Sequence, residues 1–124
     1  WPGKLPEGDV RSQAITAMDW FPTVLDLCSV EKPKVKLDGH SLVDMCKSPY
    51  VPSSHKVLHF QWHKKWAVRE GDWKLLGQEG RDKVSLHNLA DKKPEAKDYT
   101  TQKPDLVAHL KKLHVAWAKD VFAE

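Results

Sequence analysis

The chain has 124 residues, the length of one small domain or of a piece cut from a larger one. Apolar residues make up 40%, ordinary for a soluble fold, and no run approaches the ~18 apolar residues of a membrane-spanning helix. Lys and Arg total 20 against 17 Asp and Glu, a net charge of +3; the lysines are scattered and form no basic stripe, which argues against a nucleic-acid partner.

Residues 1–11, WPGKLPEGDVR, hold two Pro, two Gly and alternating charges, the composition of a surface loop. They carry no signal-peptide pattern, and an opening Trp-Pro-Gly without Met reads as the start of a piece of something longer. Asp19 then stands as an N-cap, with Pro22 tolerated in the first turn of the helix it opens. Phe21, Val24, Leu25 and Cys28 recur at helical spacing and predict one buried face. Asp19 and Asp26 read as a cap and a solvated helix surface rather than catalytic acids, because no second carboxylate or His lies at useful spacing. Cys28 is expected to be buried as a small hydrophobe. Neither it nor Cys46 has C-x-x-C or zinc-site spacing, and a disulfide between them is left open.

Glu31 to Lys36 is a charged connector. Leu37 to Leu42 predicts a turn and then a short helix through about Met45, and Lys47 to Ser54, with two Pro and three Ser, is the best internal boundary. From Val57 the period changes to two. Leu58, Phe60 and Trp62 alternate with His59, Gln61 and His63, Trp66 to Arg69 is again β-prone, and Glu70-Gly71-Asp72 supplies a reversal into Trp73 to Leu76. Trp62, Trp66 and Trp73 give this stretch much of the chain's buriable area. Trp62 and Trp66 are expected to turn toward a covered face, with His63, Lys64 and Lys65 projecting outward between them. Gln78 to Lys83 reads as a polar loop and Val84 to Leu89 as a fourth strand.

The last element is a helix opened by Pro104 and Asp105, with an apolar stripe of Leu106, Leu110, Leu113, Trp117 and Val121. His109 and His114 flank the stripe and are expected at the helix surface. An antiparallel, about four-stranded sheet between residues 56 and 89, covered by a helix over 104–122, makes the fold class α+β.

Four stretches carry a family resemblance in the right order. Trp1-Pro2-Gly3-Lys4-Leu5 with Gly8 resembles the sulfatase WPG-x-(Ile/Leu)-x-x-G loop. Asp19, Pro22, Thr23, Leu25 and Leu27 resemble the helix that follows it, and Leu37-Asp38-Gly39-His40-Ser41-Leu42 is similar to a further family element. Ala67-Val68-Arg69-Glu70-Gly71-Asp72-Trp73-Lys74-Leu75 resembles the AVR-x-G-x-(Tyr/Trp)-K-L strand pair of the small C-terminal sulfatase subdomain. The chain departs from the pattern at residues 87–95, where His87 takes an aromatic position and two Lys separate Asp91 from Pro94.

The resemblance implies that residues 1–50 close the large, alkaline-phosphatase-like catalytic domain and that 51–124 form the small subdomain. It implies a parent that hydrolyses sulfate esters with calcium and a formylglycine made in a C/S-x-P-x-R motif, and that is periplasmic or secreted. No such motif occurs here: Cys28 precedes Ser-Val-Glu-Lys, and Cys46-Lys-Ser-Pro-Tyr has its Pro one place late and no Arg. The carboxylates are scattered, so no set of converging oxygens for a hard cation is expected. The chain is therefore expected to hold no catalytic residue and no metal, and to have the remainder of the catalytic domain as partner. His63, Lys64 and Lys65 are its expected contacts to the parent's sulfated small molecule or glycan, since ammonium groups pair with sulfate and an indole stacks on a ring. The alternatives are a phosphonate or phosphate ester hydrolase of the same superfamily and a free-standing polyanion- or carbohydrate-binding module. No membrane partner is expected.

Overall fold

The structure, a computed structural model, describes residues 1–122. Contacts gather into two compact units, Trp1–His55 and a second from Lys56 onward.

In the first unit a short 3-10 turn, Ala17–Asp19, leads into α1, Trp20–Leu27, and a second helix, α2, spans Val43–Lys47. Buried Thr23 joins them: its hydroxyl donates to the Asp19 carbonyl at 2.5 Å and accepts the Leu42 N–H at 2.9 Å. Arg11 closes the far end of α2, its guanidinium donating to the carbonyls of Met45 at 2.9 Å and Cys46 at 3.0 Å, which would otherwise be orphaned at a helix C-terminus. The expected face of α1 is corrected. Pro22 and Thr23 are buried, whereas Phe21 and Val24 are about half exposed, at 53% and 50%. Cys28 is exposed rather than buried, and both cysteines are free. The reason is that Thr23 turns its own side of α1 toward the loop before α2, and no described residue covers the other side.

The second unit is a meander of four antiparallel strands in the order β1 (Val57–Trp62), β2 (Lys65–Glu70), β3 (Trp73–Gln78) and β4 (Arg81–Asn88). The turns are His63-Lys64, Gly71-Asp72 and Glu79-Gly80. Gly71 supplies a positive φ of 56°, as a two-residue reversal asks. The third turn is tighter than the polar loop expected over 78–83, so β4 begins at Arg81 instead of Val84. Beyond β4, Tyr99 N–H donates to the Leu86 carbonyl at 2.8 Å and Asp98 accepts the Leu86 N–H at 3.1 Å, which covers an otherwise unpaired sheet edge.

Helix α3, Pro104–Val121, lies across one face of the sheet. Val68, Leu75, Leu86, Val107 and Leu110 form the core between them, with Trp66, Trp73, Leu106 and Leu113 packed around it. Full burial of side chains such as Leu75, Leu86 and Leu110 stabilises by ~1.5–3 kcal/mol each. The expected stripe is shifted by a fraction of a turn. Val107 and His114 are buried and Val121 is 48% exposed, so His114 is a packed residue, not a surface one. His109 is exposed as expected, and its Nε2–H donates a 3.0 Å hydrogen bond to Glu70 Oε2. The α+β architecture, four strands and one covering helix preceded by helical material, is as the periodicities predict.

Candidate functional site

Alternation in β1 decides what the sheet presents. His59 stacks on Trp117 of α3, ring centroids 5.0 Å apart and planes within 3°, so Val57, His59 and Gln61 belong to the helix-covered face. Leu58, Phe60 and Trp62 therefore belong to the opposite face. Trp66, paired with Gln61, is on the covered side. The expectation that Trp62 and Trp66 turn the same way is thus overturned: Trp62 is 71% exposed. The two-residue turn is the cause, because Trp62 is directly paired with Lys65, and paired residues share a face.

His63, Lys64 and Lys65 are all exposed. His63 takes the left-handed conformation at the turn, φ 52°, and its ring meets the Trp62 indole edge-on at 4.9 Å. Lys64 accepts the Glu79 N–H on its carbonyl at 2.7 Å, which ties two adjacent turns together and leaves its side chain at the tip. Lys65 stands apart from the other two, on β2 beside Trp62. It lines two shallow hollows of about 370 and 360 Å³, mostly on the uncovered face, each of which also takes in Trp66 from the covered side. Phe60, Trp62, Ala67 and Leu76 line the first, and Leu76, Gln78, Arg81, Lys83 and Ser85 the second. The open face is apolar at its floor and cationic along its rim.

A second cluster lies within the first unit. The fully buried Asp19 carboxylate accepts the N–H of Thr16 at 2.7 Å and of His40 at 2.8 Å, and it faces His55 Nε2 at 2.7 Å. Burial opposes ionisation here, but the hydrogen bonds from His40, Thr16 and His55 prevail and hold the carboxyl below its usual range. The His40 ring meets His55 edge-on at 5.0 Å. Gly39 lets this loop approach, since a Cβ there would collide with the Met18 carbonyl. Asp19 is accordingly more than a cap: it draws three segments onto one carboxylate, and its His partner comes from 36 residues away. Among the described residues no hydroxyl or thiol is hydrogen-bonded to the His55 ring. Ser53, two residues from His55, donates instead to the Ala14 carbonyl at 2.6 Å. The cluster reads as a structural clamp.

Among the described residues no group of three or more His, Cys, Asp or Glu is placed to hold a metal ion. The residues present therefore do not fit the calcium that the resemblance implies for a parent enzyme. Nor is any described helix long and apolar enough to cross a membrane.

No family model matches the chain. Two curated relatives match part of it. Arylsulfatase D of Homo sapiens is 39% identical over 75 residues, covering 52% of this chain and 13% of its own length. The uncharacterized sulfatase YdeN of Escherichia coli (strain K12) is 41% identical over 59 residues, covering 47% of this chain and 10% of its own length. The chain thus spans about a tenth of the length of these relatives. Over the matched half it is similar to sulfatases, consistent with a sulfatase C-terminal portion.

Proposed function

We propose that the chain is the C-terminal portion of a sulfatase whose parent hydrolyses sulfate esters. Residues 1–50 end the large catalytic domain, and 51–124 form the small subdomain beside it. The observation that carries this reading is the identity of about 40% to two curated sulfatases over roughly half of the chain. The uncovered side of α1, with Trp20, Phe21 and Val24 exposed, is apolar surface of the kind the rest of that domain would cover. Calcium and formylglycine belong, on this reading, to the parent outside these residues. The 124-residue chain by itself is expected not to turn over an aryl sulfate, with or without calcium. Turnover well above buffer that survives further purification overturns that expectation.

His63, Lys64 and Lys65 contribute to the edge of the parent's substrate pocket, where they contact the sulfated substrate away from the reacting bond. Contacts of that kind bind substrate and transition state about equally, so their loss raises KM and leaves kcat in place. Changing His63, Lys64 and Lys65 together to Ala in the intact parent should raise KM by roughly 5–30-fold, the equivalent of ~1–2 kcal/mol. An unchanged kcat/KM assigns the three to a solvated turn. Assaying the parent on matched sulfate, phosphate and phosphonate esters separates a sulfatase from a phosphate or phosphonate ester hydrolase.

A further inference from the structure

One row of side chains crosses the uncovered face from edge to edge. Trp62 on β1 is paired with Lys65 on β2, Lys65 with Gln78 on β3, and Gln78 with Arg81 on β4. Paired residues share a face, so an exposed indole, an ammonium, an amide and a guanidinium stand in line. With strands ~4.8 Å apart, Lys65 and Arg81 lie about 10 Å from each other and the whole row spans about 14 Å. Hollows open on both sides of Lys65 along this row.

The charge on this face is one-sided. No hydrogen bond or ion pair to an acid involves the side chains of Lys65, Arg81 or Lys83 among the described residues. Two acids lie near these cations along the chain: Glu79 is drawn to the other face by Gln61, whose Nε2 donates to Oε1 at 2.7 Å, and Asp82, between Arg81 and Lys83 on β4, alternates to that other face as well. A purely apolar partner would desolvate three cations without compensation. A bare anion would leave Trp62 unused. A ligand that satisfies both presents a ring face to the indole and anionic groups to the cations.

We propose that the row Trp62–Lys65–Gln78–Arg81 is a binding strip for a sulfated saccharide of at least two rings: one ring stacks on Trp62, and anionic groups meet Lys65 and Arg81. The ligand class rests on the sulfatase reading above, and Trp62, Gln78 and Arg81 extend it from the turn onto the sheet. On this view the strip selects substrates carrying more than one anionic group.

The test is a binding titration of the 124-residue chain with a sulfated disaccharide, the same disaccharide without sulfate, and sodium sulfate. Only the first should bind appreciably, and raising the salt should weaken it. Trp62→Ala and Arg81→Ala should each weaken it by about tenfold, as loss of one stacking or charged contact implies. Both side chains are exposed, so their thermal unfolding should match the parent chain. Lys111→Ala, on the water-facing side of α3, should change nothing. Equal binding of sodium sulfate, or full affinity in both Trp62→Ala and Arg81→Ala, overturns the strip. If only Lys64→Ala weakens binding, the strip falls and the turn reading stands. A Trp62-dependent dimer by sedimentation, with no saccharide bound, makes the face a protein interface and overturns the strip as well.

Discussion

The ring of His114 lies nearly flat on the indole of Trp66, centroids 4.2 Å apart and 15° between planes. On the sheet side of the same indole sits Gly77, its cross-strand partner, where an added Cβ would collide with the ring carbon Cζ2. The glycine is therefore the seat on which Trp66 rests to receive α3. Gly77→Ala must push the indole out of the stack and disturb the helix contact with it. We expect a loss of ~2–4 kcal/mol, the range for overpacking combined with lost aromatic contact. Chemical denaturation of the two proteins checks this, and a change below ~1 kcal/mol would show that the indole can slide freely.

Where α3 meets the sheet, two imidazoles have their pKa values lowered. His59 is depressed first by burial and then by the neighbouring charge of His114, while His114 is depressed by burial against a smaller upward pull from Glu79. Lys119 of α3 lines the shallow hollow beside His114. The Nδ1 atoms of both rings lack a hydrogen-bond partner among the described residues. A lowered native pKa means that the unfolded chain binds more protons below the ordinary value of 6.5. Stability therefore rises with pH up to about that value and falls as pH drops from it toward the depressed native values. Melting temperature should decline between pH 6.5 and 5, and His114→Phe should flatten the decline. A pH-independent melt across that window would mean the rings protonate without strain.

Asp19 obeys the opposite sign. Its carboxyl is held below 3.8, so its contribution is complete above that pH and is lost only as pH falls through the native value. The two windows are separate, which lets one acid titration report on both clusters. Asp19→Ala leaves the N–H groups of Thr16 and His40 and the ring of His55 without their acceptor in a buried site. The expected cost to the first unit is ~3 kcal/mol or more. Hydrogen exchange at the His40 and Thr16 amides measures it locally, and unchanged protection there would remove the carboxylate from its clamping role.

Much of the second unit was legible in the chain because its signals are local. Alternation through Val57–Trp62, the Gly71-Asp72 reversal and the Pro104-Asp105 helix start each need only a few neighbouring residues. What failed needed distant partners. Nothing in a strand says which of its two faces a helix will cover, so Trp62 was expected inward and its exposure was missed. His114 was expected outward because imidazole is polar, and the stack on Trp66 overrides that preference. Asp19 could not be matched to His55, since a spacing of 36 residues carries no periodic signal. Arg81 and Lys83 were hidden in a stretch expected to be loop, because the tightness of the Glu79-Gly80 turn fixes where β4 begins. Of the candidate site, His63, Lys64 and Lys65 were readable as an exposed cationic turn, and the open face beside them was not.

Trp117 offers the last test, because it separates docking of α3 from filling of its core. The indole is half buried and lies parallel on His59, with Phe122 edge-on at 5.7 Å. A wholly buried Trp changed to Ala costs ~3–5 kcal/mol, and partial exposure should bring this to ~2–3 kcal/mol. The same change strips the cover from His59, admits water to its unpartnered Nδ1, and lets its pKa move back toward the ordinary value. Trp117→Ala should therefore lower stability and at the same time reduce the pH dependence between 5 and 6.5. Val121→Ala, one turn further on at an exposed position, should do neither. Denaturant melts at pH 5.5 and 7.5 for both variants decide the matter. A Trp117→Ala protein as stable as the parent chain at both pH values would mean that α3 is held by Val107 and Leu110 alone.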